Sequence, residues 1–557
     1  MLRKPMTQGL FRLNKPQWMQ SLGPSPPLAA NFRARRSDEV DGLVFDSQSL
    51  DSDSTFEVMT IPGDNQARPL LQNIARRVMI ARGLAPEFTP AAMAELEAIG
   101  TPAAAVAGTR DLRQLLWCSI DNDDSRDLDQ LSVAEARPDG ATKILVAIAD
   151  VSAVVKPGSA LDEHARLNTT SVYTTARIFP MLPEKLSTDL TSLNFGADRL
   201  ALVIEMVFTP AGPLASSAIY PAMVCNHAKL AYNSVAAWLD GTAPAPPAVS
   251  AVAGLADNIR LQLRVADQLA ALRHAQGALS LETLQTHPVF DGAMLTGLEA
   301  DTPNSAKRLI EDLMIASNGV TARFLAARKF PSIRRVVRIP KYWDRIVELA
   351  AGHHGTLPPA PDGRALEQFL VTAKAANPAG FPELSLSVIK LLGPGEYVLE
   401  LPDDPVTGHF GLAVRDYSHS TAPNRRFPDV ITQRLLKAAL AGRPPPYASG
   451  ELASLAKHCT EQEDAAKKVE RQVGKSAAAL LLAPSLGKQF DATVTGASDK
   501  GIWVRIAQPP VEGKLDSGPA GLRVGDRLRV QLVRTDVEHG FIDFKGVGER
   551  LAAKSGS

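Results

Sequence analysis

The sequence predicts a multidomain α/β and β chain: a mixed α/β body, a short helical module before it and a small all-β barrel after it. Three observations carry this. Between residues 117 and 447, short β-branched apolar runs alternate with long stretches of helical periodicity. Ahead of them, residues 68–115 read as helical. Beyond residue 488, strand-length runs are parted by glycine turns. The 557 residues suggest about three or four folding units.

In chain order, residues 1–65 form a charged arm. Seven basic residues and no acid lie between Met1 and Arg36, and seven acids and no base between Asp38 and Glu57. Such blocks usually stay solvated. A basic arm that touches RNA, a dispensable tail and an acid-free organelle-targeting leader are the alternatives. Over 66–115, Leu70, Leu71, Ile74, Val78, Met79 and Ile80 recur near a 3.6-residue period, Gly83 and Pro86 break the run, and Thr89-Pro90 starts a second helix. In the body, 116–447, the runs 144–149 and 200–208 read as buried strands, and 249–276 and 305–329 as helices. The second helix carries the stripe Leu309, Leu313, Ala316, Val320, Phe324. Proline-rich pieces near 244–247, 358–361 and 444–446 mark loops. Residues 448–485 hold a long helix, 451–482, stopped at Pro484. Strands at 490–494, 502–506, 527–533 and 541–544 make 486–548 a barrel of OB type, and 549–557 a tail.

Hydrophobic residues at 45% and charged residues at 22% exclude a collagen-like or wholly disordered chain. No apolar run approaches the roughly 18–20 residues of a membrane helix, so no membrane partner is expected. Sixty basic and sixty acidic residues balance. Nucleic-acid binding must therefore rest on local motifs. Cys118, Cys225 and Cys459 are odd in number and far apart, which excludes a CxxC zinc site and a disulfide framework. A reducing cytoplasm fits, and the start lacks the apolar core of a secretory signal.

The densest chemical signal is residues 120–130, with five aspartates between Asp121 and Asp129. Like charges this close need a counter-charge, which a hard divalent cation with oxygen ligands supplies. Asp127 and Asp129 share strand parity and point to one side when extended. A solvated acidic loop is the alternative. An EF-hand fails, because Arg126 stands where glycine is needed and Ser132 where the bidentate glutamate belongs. Gly474-Lys475-Ser476 lacks the upstream glycine of a P-loop. A Mg²⁺ site for phosphoryl transfer remains, and it requires a cation opposite the transition-state charge.

Ile120-Asp121 with Asp127-Leu128-Asp129 resembles the signature of the ribonuclease II/R family of RNB-domain exoribonucleases. Further blocks follow in the family's order at 148–152, 170–173, 180–187, 192–194, 228–232, 309–318 and 417–429. The resemblance spans about residues 115–475, and the terminal barrel is similar to the S1-type RNA-binding OB fold. It implies a Mg²⁺-dependent enzyme, with one or two ions, that hydrolyses single-stranded RNA processively from a free 3′ end to nucleoside 5′-monophosphates. No obligate protein partner is implied. Asp121, Asp127 and Asp129 match metal-binding positions, with Gln130 beside them, and Asp127 and Asp129 are catalytic candidates. Arg425 matches the arginine that grips the scissile phosphate, a task suited to a guanidinium's fixed donors; Arg426 follows as a second RNA contact. Tyr173 matches the tyrosine packed near the 3′ nucleotide. Tyr232 and Glu311 match positions that favour ribose, a carboxylate being able to accept from the 2′-OH. Read without the resemblance, Tyr232 is a core tyrosine and Glu311 the partner of Lys307. Trp503, among Phe490, Phe541, Phe544 and basic neighbours, suggests base stacking, with barrel filling as the alternative for about half of these rings. Arg334, Arg335 and Arg338 read equally as an RNA-channel element or a solvated face.

Three departures stand out. Gln130 replaces a fourth aspartate, Asn424 stands where the family carries an apolar residue, and no cold-shock barrels are recognisable ahead of the body. Gln130 and Asn424 motivate the rival reading, an RNA-binding protein with a degenerate nuclease domain. A scaffold acting through the barrel alone is the third.

Overall fold

The structure, a computed structural model, describes residues 67–550 apart from 283–284, 292–293, 302, 379 and 499–500. The charged arm and the last seven residues lie outside that range.

Helix α1 (Ala67–Ala81) buries Leu71, Ile74, Ala75, Val78 and Met79; of the stripe expected from the period, Leu70 is only half-buried and Ile80 is exposed. It stops before Gly83, whose φ of +76° suits glycine. Helix α2 (Pro90–Ala98) starts at Thr89, whose Oγ1 accepts the Ala92 N–H at 3.1 Å. Residues 99–115, expected to be helical, are not. They are turns and irregular chain apart from β1 (Arg110–Asp111), which joins the main sheet. The helices have no core of their own, since α1 packs on Ala466, Val469, Val473 and Ala477 of a helix far along the chain and α2 on the α/β body.

The body opens with β2 (Cys118–Asp121), β3 (Gln130–Ala136), β4 (Thr142–Ala149), α3 (Ala160–Asn168), β5 (Val172–Tyr173) and β6 (Ile178–Phe179). A π-helical turn, Lys185–Leu190, leads to β7 (Asp198–Phe208), β8 (Leu214–Cys225), β9 (Ala228–Ala231), α4 (Tyr232–Leu239), α5 (Pro247–Ser250) and α6 (Leu255–Ala275). One long helix was expected over 249–276; Gly254, at φ +80°, divides it. A hairpin follows, β10 (Gln285–Asp291) and β11 (Met294–Asp301), then α7 (Ser305–Ala327), β12 (Ser332–Val336), α8 (Trp343–Gly352), α9 (Gly363–Ala376), α10 (Phe381–Leu392), β13 (Glu396–Glu400), α11 (Phe427–Leu440) and α12 (Ser449–Leu482).

The main sheet has the order β1-β8-β7-β4-β3-β2-β9. Strands β4 and β7 pair at its centre, Ile144 with Met206 through Ala149 with Ala201. They are covered on both faces, which explains their unbroken apolar runs. The end of β2, the start of β3 and the end of β4 lie together, because Cys118 pairs with Ser132 and Gln130 with Ile148. The acidic loop therefore sits at one end of the sheet, over the core.

The barrel closes as β14 (Gln489–Ser498), β15 (Gly501–Ile506), β16 (Glu512–Ser517), β18 (Phe541–Arg550) and β17 (Arg527–Asp536) in that spatial order, an OB-type arrangement. Strand β16 went unread because Glu-Gly-Lys-Leu-Asp-Ser offers one apolar residue. Among the described residues no helix is long and apolar enough to cross a membrane.

Candidate functional site

The loop between β2 and β3 carries the carboxylates. Asp129, the last residue before β3, is 2% exposed. Its Oδ1 accepts the backbone N–H of Asn424 at 2.8 Å. Its Oδ2 lies 3.4 Å from Arg425 Nε and makes no hydrogen bond. Burial pushes the Asp129 carboxyl up to about 8; Arg425 opposes this and Asp127 adds to it. Asp127 is half-buried, and its Oδ2 accepts the Tyr173 O–H at 3.3 Å. Burial also raises Asp127, against the pull of Arg425 and with repulsion from Asp121. Asp121 is close enough to act on Asp127, but its Oδ1 accepts from Ser125 Oγ at 2.9 Å and Asn122 N–H at 2.7 Å. Asp127 and Asp129 thus converge on Arg425, while Asp121 stands beside them with an oxygen engaged locally. Gln130 begins β3, its backbone paired with Ile148.

Arg425 comes from the loop before α11. Its carbonyl accepts the Ser171 N–H at 3.0 Å and the Thr170 hydroxyl at 3.1 Å, and its side chain keeps 44% exposure. The guanidinium is therefore fixed at its base and open at its tip, as a phosphate contact requires. Arg426 differs from expectation. It points inward, donating to Asp429 at 2.9 Å and Thr421 Oγ1 at 3.4 Å, and Asp429 is fully buried. A residue at the entry to α11 has its alternate neighbour facing the core, so Arg426 holds the loop rather than facing the cleft.

Tyr173 is 41% exposed, and its backbone N–H donates to Glu470 Oε1 of α12 at 2.9 Å. Tyr232 opens α4 one residue after Ala231, which pairs with Asp121 across β9 and β2. It feels both Asp121 and Arg425, and burial raises its phenol. Glu311, exposed on α7, has Arg273, Asp312 and His274 as its charged neighbours. Trp503 lies in the barrel, away from the carboxylates. It lines a cleft of about 750 Å³ with Lys390, Arg471, Lys475 and Arg505, reaching Thr175 beside the tyrosine strand. Phe544 fills the barrel core and Phe490 packs on it at 6.4 Å, whereas Phe541 is exposed and stacks on His539.

Arg334 and Arg335 on β12 are buried and paired, Arg334 with Glu400 at 2.8 Å and Arg335 with Glu463 at 2.8 Å, so neither lines a channel or faces solvent. Arg338, two residues beyond the strand, is exposed and pairs with Glu396 at 2.5 Å. Glu470 is a residue that sequence reasoning passed over, because its contact with Tyr173 spans 297 positions.

Among the described residues no group of three or more His, Cys, Asp or Glu side chains closes into a metal cage. Asp127 and the buried Oδ2 of Asp129, which makes no hydrogen bond, nevertheless set two carboxylates against the one guanidinium of Arg425. Mg²⁺ is commonly held by one or two carboxylates with waters and substrate phosphates completing the shell, and the donors present fit that arrangement.

The profile of the RNB domain matches residues 109–442, more than half of the chain. That of the RNase II-type exonuclease C-terminal S1 domain matches residues 488–547. Ribonuclease R of Vibrio parahaemolyticus is 28% identical over 531 residues, covering 88% of this chain and 62% of that protein. Ribonuclease R of Escherichia coli (strain K12) is 28% identical over 538 residues, covering 90% and 65%. The chain thus spans under two thirds of the length of these relatives. Among solved structures, apo RNase R of Mycoplasma genitalium superposes with a TM-score of 0.77 at 23% identity, covering 87% of this chain and 78% of that one. Yeast Ssd1, described as a pseudonuclease, reaches 0.60 at 15% identity, covering 78% and 54%. These likenesses establish a shared fold, and the profile matches establish the lineage: the chain belongs to the RNB-domain family, with a C-terminal S1 domain of the RNase II exonuclease type.

Proposed function

We propose that the chain is a processive, hydrolytic 3′-to-5′ exoribonuclease that degrades single-stranded RNA to nucleoside 5′-monophosphates, in cytoplasmic RNA turnover or 3′-end processing. The observation that carries this reading is the pair Asp129–Arg425: a buried carboxylate oxygen without a hydrogen bond, facing a guanidinium whose tip is open. The body 116–447 performs the chemistry and the barrel 486–548 holds the strand. Asp127 and Asp129 would hold Mg²⁺, with Asp121 and Gln130 as further oxygen donors. Bound there, the ion supplies Lewis acidity toward phosphate and a lowered water pKa. Arg425 donates to the scissile phosphate and stabilises its growing charge. Tyr173, whose ring is presented at the cleft, packs against the terminal nucleotide while its hydroxyl steadies Asp127. Tyr232 offers a second phenolic donor near Asp121.

The test is an oligo-A labelled at its internal phosphates, incubated with the full chain and Mg²⁺. Mononucleotide release that EDTA stops, and that Asp129→Asn lowers about a thousandfold or more, is the expected result. Gln130 favours one rival, an RNA-binding protein with a weak catalytic domain. Tight RNA binding with no cleavage at any Mg²⁺ concentration would establish that rival instead.

A further inference from the structure

Asn424 is fully buried, although the resemblance places an apolar residue there. Its backbone N–H holds Asp129, and Arg425 follows it directly. A buried amide needs a partner. That partner is Thr191, 6% exposed, whose Oγ1 lies 2.5 Å from the Asn424 amide oxygen position and 2.8 Å from the Leu186 carbonyl. A hydroxyl carries a single proton and cannot donate to both. In that orientation the Asn424 amide nitrogen is also left without a partner. Turning the amide by half a rotation removes the conflict: Asn424 Nδ2 donates to Thr191 Oγ1, Thr191 donates to Leu186 O, and the amide oxygen takes the position that has no partner.

The next residue, Ser192, is fully buried and grips the other loop. Its Oγ accepts the Leu128 N–H at 3.0 Å, and its one proton has the Arg126 carbonyl at 2.8 Å and Asn194 Oδ1 at 3.0 Å as acceptors, the carbonyl being the nearer. The Leu193 N–H adds a bond to Leu128 O at 2.9 Å. Two adjacent hydroxyls at the end of the π-helical turn therefore hold the arginine loop and the acidic loop at one fixed spacing.

We infer that Thr191 and Asn424 form a polar clamp that sets the Asp129–Arg425 separation, a hydrogen bond taking the place of the apolar contact implied by the resemblance. Both are positioning residues, since neither side chain reaches the cleft. The role in turnover rests on the hydrolase reading; the clamp itself does not.

Thr191→Val and Asn424→Leu, alone and together in the full chain, test it. Each replaces a polar group by an apolar one of similar shape. A lone survivor keeps an unmet polar group, whereas removing both partners is close to neutral. Thr191→Val is expected to lower kcat about tenfold with KM within about twofold, Asn424→Leu to lower it less because Thr191 keeps Leu186, and the double variant to return to within about threefold of wild type. Losses that multiply in the double variant, an unchanged kcat in Thr191→Val, or a change confined to KM would overturn the clamp. Hydrogen exchange of the Asn424 backbone amide is read in parallel, without turnover. Slow exchange in wild type and double variant with fast exchange in Thr191→Val supports the clamp; equal exchange in all four chains refutes it. A wild-type chain that releases no mononucleotides defeats the hydrolase reading, and the exchange rates still decide the clamp.

Discussion

At the residue scale, Asp129 governs how the site responds to pH. Burial holds its carboxyl at about 8, far above an ordinary aspartate. Near neutrality, without a cation, it is mostly protonated, and a divalent ion must displace that proton in order to bind. Metal binding then releases a proton, and its apparent affinity rises with pH only below the carboxyl's own pKa. The Mg²⁺ concentration for half-maximal RNA hydrolysis should fall about tenfold between pH 6.5 and 7.5 and level off above about 8. A half-saturation point that stays constant from pH 6 to 8 would show that Asp129 does not take up the ion. The aspartates were legible in sequence because five carboxylates in nine positions are unusual in any context, and Arg425 was legible only through the resemblance of its motif. Arg426 was not, because which of two adjacent arginines faces the cleft depends on Asp429 and on the entry angle of α11.

At the element scale, the strands legible in the sequence were those whose environment is uniform. Strands β4 and β7 are buried on both faces and read as continuous apolar runs. Strand β12 carries two buried arginines and resembles a surface until its partners are known: Glu400 lies on the neighbouring strand and Glu463 on α12, 128 positions from Arg335. No local pattern can announce such pairs. The pairing also separates stability from binding. Arg335 forks onto Glu463 with bonds of 2.8 and 3.0 Å and lies over the Tyr397 ring at 4.7 Å. Arg335→Met leaves a largely buried carboxylate with Lys467 as its remaining cation. Unfolding free energy should drop by about 2–3 kcal/mol in urea titrations, while RNA affinity stays within about twofold. A loss of affinity at unchanged stability would return β12 to the list of RNA contacts.

At the scale of the whole molecule, α12 explains why the chain is not a string of separate domains. Over its 34 residues, about 50 Å of helix, it enters three cores in turn. Leu452, Leu455 and Cys459 pack in the α/β body, Ala466, Val469 and Val473 against α1 and the tyrosine strand, and Ala479 and Leu482 inside the barrel. Composition marks where patterns change, but it cannot show that one helix serves all three. The same helix carries Arg471 and Lys475 along the cleft that Trp503 faces, with Lys390 and Arg505 opposite. Thr175, two residues past Tyr173, lines that cleft, so a strand whose 3′ end lies at Asp129 and Tyr173 would leave along it. Short RNA would fill only the catalytic end, and longer RNA would stack a base on Trp503, an interaction worth about 1–3 kcal/mol. Trp503→Ala should therefore raise KM for a 20-nucleotide RNA about tenfold at constant kcat and leave a 4-nucleotide RNA unchanged. Lys475→Ala should instead flatten the dependence of long-RNA binding on salt by about one phosphate's worth. If Trp503→Ala impairs both lengths equally, the strand does not pass between the barrel and α12, and the indole serves only to hold the barrel's shape.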